Sequence, residues 1–119
     1  MKWLKSLPLR RPALNRLQRL LPRRIREREP ILIRRVAGES MEPYVGHGTV
    51  VVARGFHLKL KKYDVVVVRQ HGIEKIKRIL KIKDGKMYLV GDNPRKSKDS
   101  RHFGWVPTDW VVGKVIWPH

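Results

Sequence analysis

A serine in a tight turn, a row of lysines on one extended run and a long polar loop bring together the reactive side chains of this 119-residue chain. The turn is Gly38-Glu39-Ser40-Met41-Glu42-Pro43, directly after the strand-like run Ile31–Val36. A serine placed there can present its hydroxyl outward while its own N–H faces an oxyanion. The same Gly, Ser and Pro residues also make an ordinary turn. A nucleophilic serine needs a base, and His47, His57, His71, His102 and His119 stand in no arrangement that suggests a Ser-His-Asp triad. Lysine is the other choice. With an ordinary pKa near about 10.4 it is protonated at neutral pH. Burial and nearby positive charge must bring it to about 7–8, a change worth roughly 4 kcal/mol that requires a dry, enclosed site.

The lysines lie on Ile73–Lys83. Strand alternation predicts Ile76, Arg78, Leu80 and Ile82 on one face and Lys75, Lys77, Ile79, Lys81 and Lys83 on the other, which reads as a solvated lysine face. Spacing alone does not select Lys77 over Lys75. The loop runs from Gly91 to Pro107 and is dense in groups able to bond backbone and side chains. In it Asp99 and Arg101 can form an ion pair, and either Ser97 or Ser100 can hydrogen-bond a neighbouring amine; the alternative is a plain surface loop of turn residues.

The elements that must position these groups are short β-rich runs separated by Gly, Asp, Asn and Pro: Ile31–Val36, Thr49–Arg54, Asp64–Arg69, Ile73–Lys83, Lys86–Val90 and Trp110–Trp117. They predict a mostly β, compact antiparallel domain over residues 31–119, with Asp84-Gly85 as a hairpin turn. Residues 1–30 differ, with ten Lys/Arg, two acids and four prolines, and read as a basic arm without a strand. Within the arm, Pro12 suits the start and Pro22 the end of a short amphipathic helix carrying Leu14, Leu17 and Leu21. At about 15 Å long it can lie on a membrane but not cross one.

Composition bounds the rest. Hydrophobic residues make up 41% of the chain, enough for a modest core, while 28 Lys+Arg against 10 Asp+Glu give a net charge of +18. Zero cysteines exclude disulfides, Cys-ligated zinc and iron–sulfur clusters, and the histidines lack metal-binding spacing, so no metal or other cofactor is expected. The longest strictly apolar runs, Val50–Ala53 and Val65–Val68, suit neither a membrane span nor a secretory signal, so the expected location is the cytoplasm, with a membrane surface left open for the arm. The charge would attract nucleic acid whatever the fold, so a non-catalytic basic nucleic-acid-binding protein is an alternative reading, but no recognisable binding motif accompanies the charge, and no specific nucleic acid is expected.

Taken in order, the three segments resemble the type I signal peptidase superfamily of serine–lysine proteases, over about Val36 to Val115. Gly38-Glu39-Ser40-Met41-Glu42-Pro43 resembles the nucleophile box and Lys77-Arg78 the base box. Gly91-Asp92-Asn93 with Ser97, Asp99-Ser100-Arg101, Gly104 and Val106-Pro107 resembles the closing box. The resemblance implies the signal-peptidase/repressor-protease type of β domain, Ser40 as nucleophile, with its N–H as an oxyanion donor, and Lys77 as base. It also implies that Ser97 bonds the lysine amine, that the Asp99–Arg101 pair supports the loop, and that Lys77 points into a cleft.

Three departures stand out. Tyr63-Asp64 occupies the place of a Gly-Asp pair common before the valine-rich strand, and Gly38 that of a serine that helps the oxyanion hole in some relatives. No membrane anchor is recognisable, and Lys77 follows Ser40 by only 37 residues. In these last two respects the chain is similar to the small nickel-type superoxide dismutase maturation proteases. That implies a precursor with a removable N-terminal extension as partner, and leaves an anionic membrane or an acidic partner open to the arm. Two further readings share parts of this chemistry: a signal peptidase held at the membrane by its arm, and a self-cleaving repressor-type protease with Val36-Ala37-Gly38 as its site.

Overall fold

The computed structural model describes residues 4–6 and 29–119. Among the described residues eight strands make one antiparallel sheet: β1 (Leu4–Ser6), β2 (Ile31–Val36), β3 (Val50–Arg54), β4 (Val65–Gln70), β5 (Ile73–Lys83), β6 (Lys86–Val90), β7 (Val106–Pro107) and β8 (Val111–Trp117). Their spatial order is β1-β2-β3-β8-β4-β5-β6-β7. A four-residue helix, α1 (Ser100–Phe103), interrupts the loop between β6 and β7.

The valine run of β4 explains how the sheet is packed. Val65, Val66, Val67 and Val68 are all buried, as expected of a strand covered on both faces. Val65 and Val67 join Leu32, Val36, Met41, Val45, Val51, Ala53 and Ile76 in one core. Val66 and Val68 join Ile79, Met87, Leu89, Val106 and Val111 in the other. Each such side chain contributes about 1.5–3 kcal/mol relative to exposure, so two cores sharing one strand fix β4 and its neighbour β5 firmly. The β5–β6 hairpin turns at Asp84 and Gly85, with φ of 53° and 75°, the paired positive values a two-residue type I′ turn needs.

The mostly β, antiparallel reading therefore describes the fold, and β2, β5 and β6 begin and end where the sequence predicts. The expected Trp110 strand start falls instead in a 3-10 turn, Thr108–Trp110, leading into β8. Two further expectations are corrected. The sequence predicts no strand within residues 1–30, yet Leu4–Ser6 pairs with β2 in the register Leu4↔Val36, Lys5↔Arg35, Ser6↔Arg34. This short polar segment has no strand pattern of its own and owes its conformation to the edge it meets. The lysine row is also not a solvated face, because Lys75, Lys77 and Ile79 are buried while Lys81 and Lys83 are exposed. The register shift between Ile79 and Lys81 divides the buried part of β5 from its exposed end. The helix expected over Pro12–Pro22 lies outside the described residues. Among the described residues no helix is long and apolar enough to cross a membrane.

Candidate active site

Ser40 sits in a turn stitched by Glu42 N–H to the Glu39 carbonyl at 3.2 Å and Val45 N–H to the Met41 carbonyl at 3.1 Å. Its neighbour Met41 is wholly buried in the core with Val36 and Val45, which anchors the turn to the domain. Gly38 enters the turn at φ 95°, and its N–H donates to His47 Nδ1 at 2.8 Å. Ser40 is itself fully buried, and its Oγ is the one buried side-chain polar atom among the described residues without a hydrogen-bond partner. Leaving a buried hydroxyl unpaired costs about 1–3 kcal/mol, and a catalytic role is one of the reasons a native fold keeps such a group.

Lys77 arrives from β5, paired with Val66 of β4 and fully buried. Its Nζ donates to Ser97 Oγ at 2.8 Å, and Ser97 Oγ donates in turn to Asp99 Oδ2 at 2.6 Å. Because the Ser97 proton is committed to the carboxylate, its oxygen can only accept from the amine, which fixes the direction of the relay. Asp99 is held by the Gly91 N–H at 2.8 Å and by the Arg101 backbone N–H and Nε at 3.1 and 2.9 Å. Burial alone would raise the Asp99 carboxyl, but the hydrogen bonds from Arg101, Ser97 and the Gly91 N–H hold it well below the usual carboxylate range. It therefore stays ionised and keeps the Ser97 proton pointing away from Lys77.

The closing loop is locked from several sides. Asp99 caps α1 and His102 reaches back to it, while Ser100 Oγ accepts from Leu89 N–H at 2.8 Å. Arg78, next to Lys77, grips Asp92 with two bonds of 2.8 and 2.7 Å and donates to the Tyr63 carbonyl at 2.8 Å. Tyr63 has φ 74° and occupies the left-handed region that a glycine adopts without strain.

The two halves of the site meet at Gly91. Asn93 N–H donates to the Ser40 carbonyl at 2.9 Å. A Cβ added to Gly91 would lie 2.6 Å from that same carbonyl oxygen and would collide with Ser97 Oγ. The Ser40 turn and the Ser97 loop thus both crowd the place where a side chain of residue 91 would stand. Ser97, Asp99 and Arg101 come together around Lys77. Ser40 joins them through its backbone, with its hydroxyl making no bond to Lys77 in this state.

Lys75, the competing lysine, is also buried, and desolvation pushes its pKa down. Its Nζ donates to Gln70 Oε1 at 3.0 Å and lies 5.1 Å from the Phe103 ring centre. What separates the two lysines is therefore partnership rather than burial: the Lys77 amine bonds Ser97 of the Ser97–Asp99 relay, whereas the Lys75 amine bonds Gln70. Sequence reasoning missed the Arg78–Asp92 clamp and the close approach at Gly91. The first had a signal in a base directly after Lys77 and an acid directly before Asn93, whereas the second depends on which loop lies over Gly91.

Residues 71–119 match the signal peptidase, peptidase S26, family. The matched stretch contains Lys77, Ser97, Asp99 and Arg101 and excludes Ser40. Signal peptidase I of Bacillus caldolyticus is 35% identical over 63 residues, 50% of this chain and 35% of that protein. Signal peptidase IB of Staphylococcus aureus is 50% identical over 40 residues, 31% of this chain and 21% of that protein. The chain thus spans about a third or less of the curated relatives it matches. These matches support the signal peptidase superfamily for this chain.

Proposed function

We propose that the chain is a serine endopeptidase that uses Ser40 and Lys77 as a dyad to remove an N-terminal extension from a precursor protein. The observation that carries this reading is the wholly buried Lys77 amine bonded into the Ser97–Asp99–Arg101 relay. Burial disfavours the ammonium and so favours the neutral amine that a base must be. Ser40, the proposed partner of that amine, is likewise fully buried, and its Oγ has its own hydrogen bond unmade. Catalytic hydrogen bonds that are open in a free enzyme commonly close when substrate enters.

In the proposed reaction, Lys77 Nζ takes the Ser40 proton as Oγ bonds to the scissile carbonyl carbon, and the Ser40 N–H faces the oxyanion. The tetrahedral intermediate collapses by breaking the C–N bond, and the departing amine, the new N-terminus of the product, receives the proton from Lys77. A water that gives a proton to Lys77 Nζ then attacks the ester carbonyl, the C–Oγ bond breaks as Ser40 Oγ takes that proton back from Lys77, and the extension leaves as a carboxylic acid that ionises in water.

The finer reading is that the precursor is that of a nickel superoxide dismutase, on the resemblance to the short Ser40-to-Lys77 spacing of the maturation proteases. A second reading, favoured by the names of the matched relatives, keeps the same chemistry and takes the leader of an exported protein as substrate. Co-expression of wild type or Ser40→Ala with each kind of precursor, read by intact-mass spectrometry of the precursor's N-terminus, separates them. The dismutase precursor is expected to be trimmed by wild type alone. Trimming of the exported precursor instead selects the second reading, and trimming by Ser40→Ala would overturn the nucleophile.

A further inference from the structure

Two strand edges end at the candidate dyad. One is the outer edge of β2, whose last residue Val36 is followed by Ala37-Gly38-Glu39 and then Ser40. The other is the first half of β5. β4 pairs with β5 from Ile73 to Arg78, but β6 joins only from Arg78 onward, so no β6 residue covers the backbone of Ile73–Lys77. Edges with unpaired N–H and C=O groups are natural receptors for an extended peptide. Both edges converge on Leu4–Ser6, which pairs with β2 and approaches β5 to within 8 Å between Cα atoms.

The register says which groups are taken. Val36 N–H donates to the Thr49 carbonyl and the Val36 carbonyl accepts from Gly48 N–H, so the Val36 backbone faces the β3 side. Strand alternation then turns the N–H and carbonyl of Arg35 the other way, towards Lys5, its partner in the ladder. We propose that this edge beside Ser40 is a strand-binding site whose resident occupant is the chain's own segment Leu4–Ser6, which competes there with the peptide substrate. The word substrate rests on the endopeptidase reading above; the binding site does not. A three-residue ladder is weak, yet tethering gives a segment an effective concentration on the order of mM, enough to compete with free peptide at far lower concentration. A longer extended substrate, pairing with more of the edge, displaces it.

The test uses the full chain in a Ser40→Ala background, with Lys5→Pro added to remove the strand's central N–H, and a variant lacking residues 2–6 as a proline-free control. The probe is a synthetic peptide of residues 1–10, and the readout is amide hydrogen exchange at Arg35 by NMR. Faster exchange at Arg35 is expected in both variants, with protection restored by the probe at concentrations that do not affect the parent. In the Ser40-containing forms the KM for a cleavable peptide is expected to fall several-fold with kcat unchanged. Exchange at Arg35 that is the same in parent and variants, or that the probe never slows, would overturn the proposal. Since exchange needs no turnover, a chain that binds the probe in this way and cleaves nothing would sink the protease reading and leave the strand-binding site standing.

Discussion

Gly91 is the residue on which the site's geometry turns most sharply. Its missing Cβ leaves room for the Ser40 carbonyl and the Ser97 side chain, which both lie where that Cβ would stand, and one of these two neighbours is backbone that cannot rotate away. Gly91→Ala is expected to destabilise the fold by about 1–3 kcal/mol, read as a lowered midpoint in urea, and to reduce any Ser40-dependent cleavage by more than the loss of folded protein explains. Asp99 makes a prediction of a different kind. Its native carboxyl lies below the unfolded value of about 3.9, so the stabilisation it contributes is complete above that value and is lost as pH falls below it towards the native one. The melting temperature is expected to hold from neutrality to about pH 5 and drop below about pH 4, with Asp99→Asn melting lower at neutrality and showing a shallower acid drop. Part of this cluster was legible at the level of residue types: the loop's composition offered the Asp99–Arg101 pair but left Ser97 and Ser100 both open, and in the structure Asp99 bonds Arg101 while it is Ser97 that bonds Lys77. Gly91 was not legible, because nothing in a sequence says which backbone will lie against a glycine.

At the scale of elements, β5 shows where alternation carries information and where it fails. Alternation correctly put Lys75, Lys77 and Ile79 on one side, but charge suggested that this side faces water. The closing loop with α1, and the second core built around Met87, Leu89 and Val106, cover it instead. Residue type reports the cost of burial, and only tertiary packing shows whether partners offset it. The hairpin at Asp84-Gly85 was readable because a two-residue turn is local chemistry, while β1 was not, because its pairing is supplied by β2. The turn into β4 bears a local strain. Tyr63 holds φ 74° while the residue is 58% exposed, so it gains little burial in return. Left-handed backbone costs a non-glycine residue about 1–2 kcal/mol, against roughly 0.5–1 kcal/mol of chain entropy lost with glycine. Tyr63→Gly is expected to be neutral to stabilising by up to about 1 kcal/mol, measured by urea unfolding, with the Arg78 bond to the residue 63 carbonyl retained.

For the molecule as a whole, composition signalled a folded domain and a strong positive field, and the field says more about association than about chemistry. A charge of +18 draws the chain to polyanions whatever its site does. What sets the functional reading apart is an interior detail, a lysine removed from water and tied to a serine–carboxylate relay. The most direct test of that detail is the rate of precursor trimming by wild type and Lys77→Ala, measured from about pH 6 to about pH 10. A lysine base works only when neutral, so the wild-type rate should rise with pH and level off once Lys77 has lost its proton, and Lys77→Ala should be slower by about 10²–10⁴-fold throughout. A flat wild-type profile across that range, or undiminished trimming by Lys77→Ala, would contradict the account.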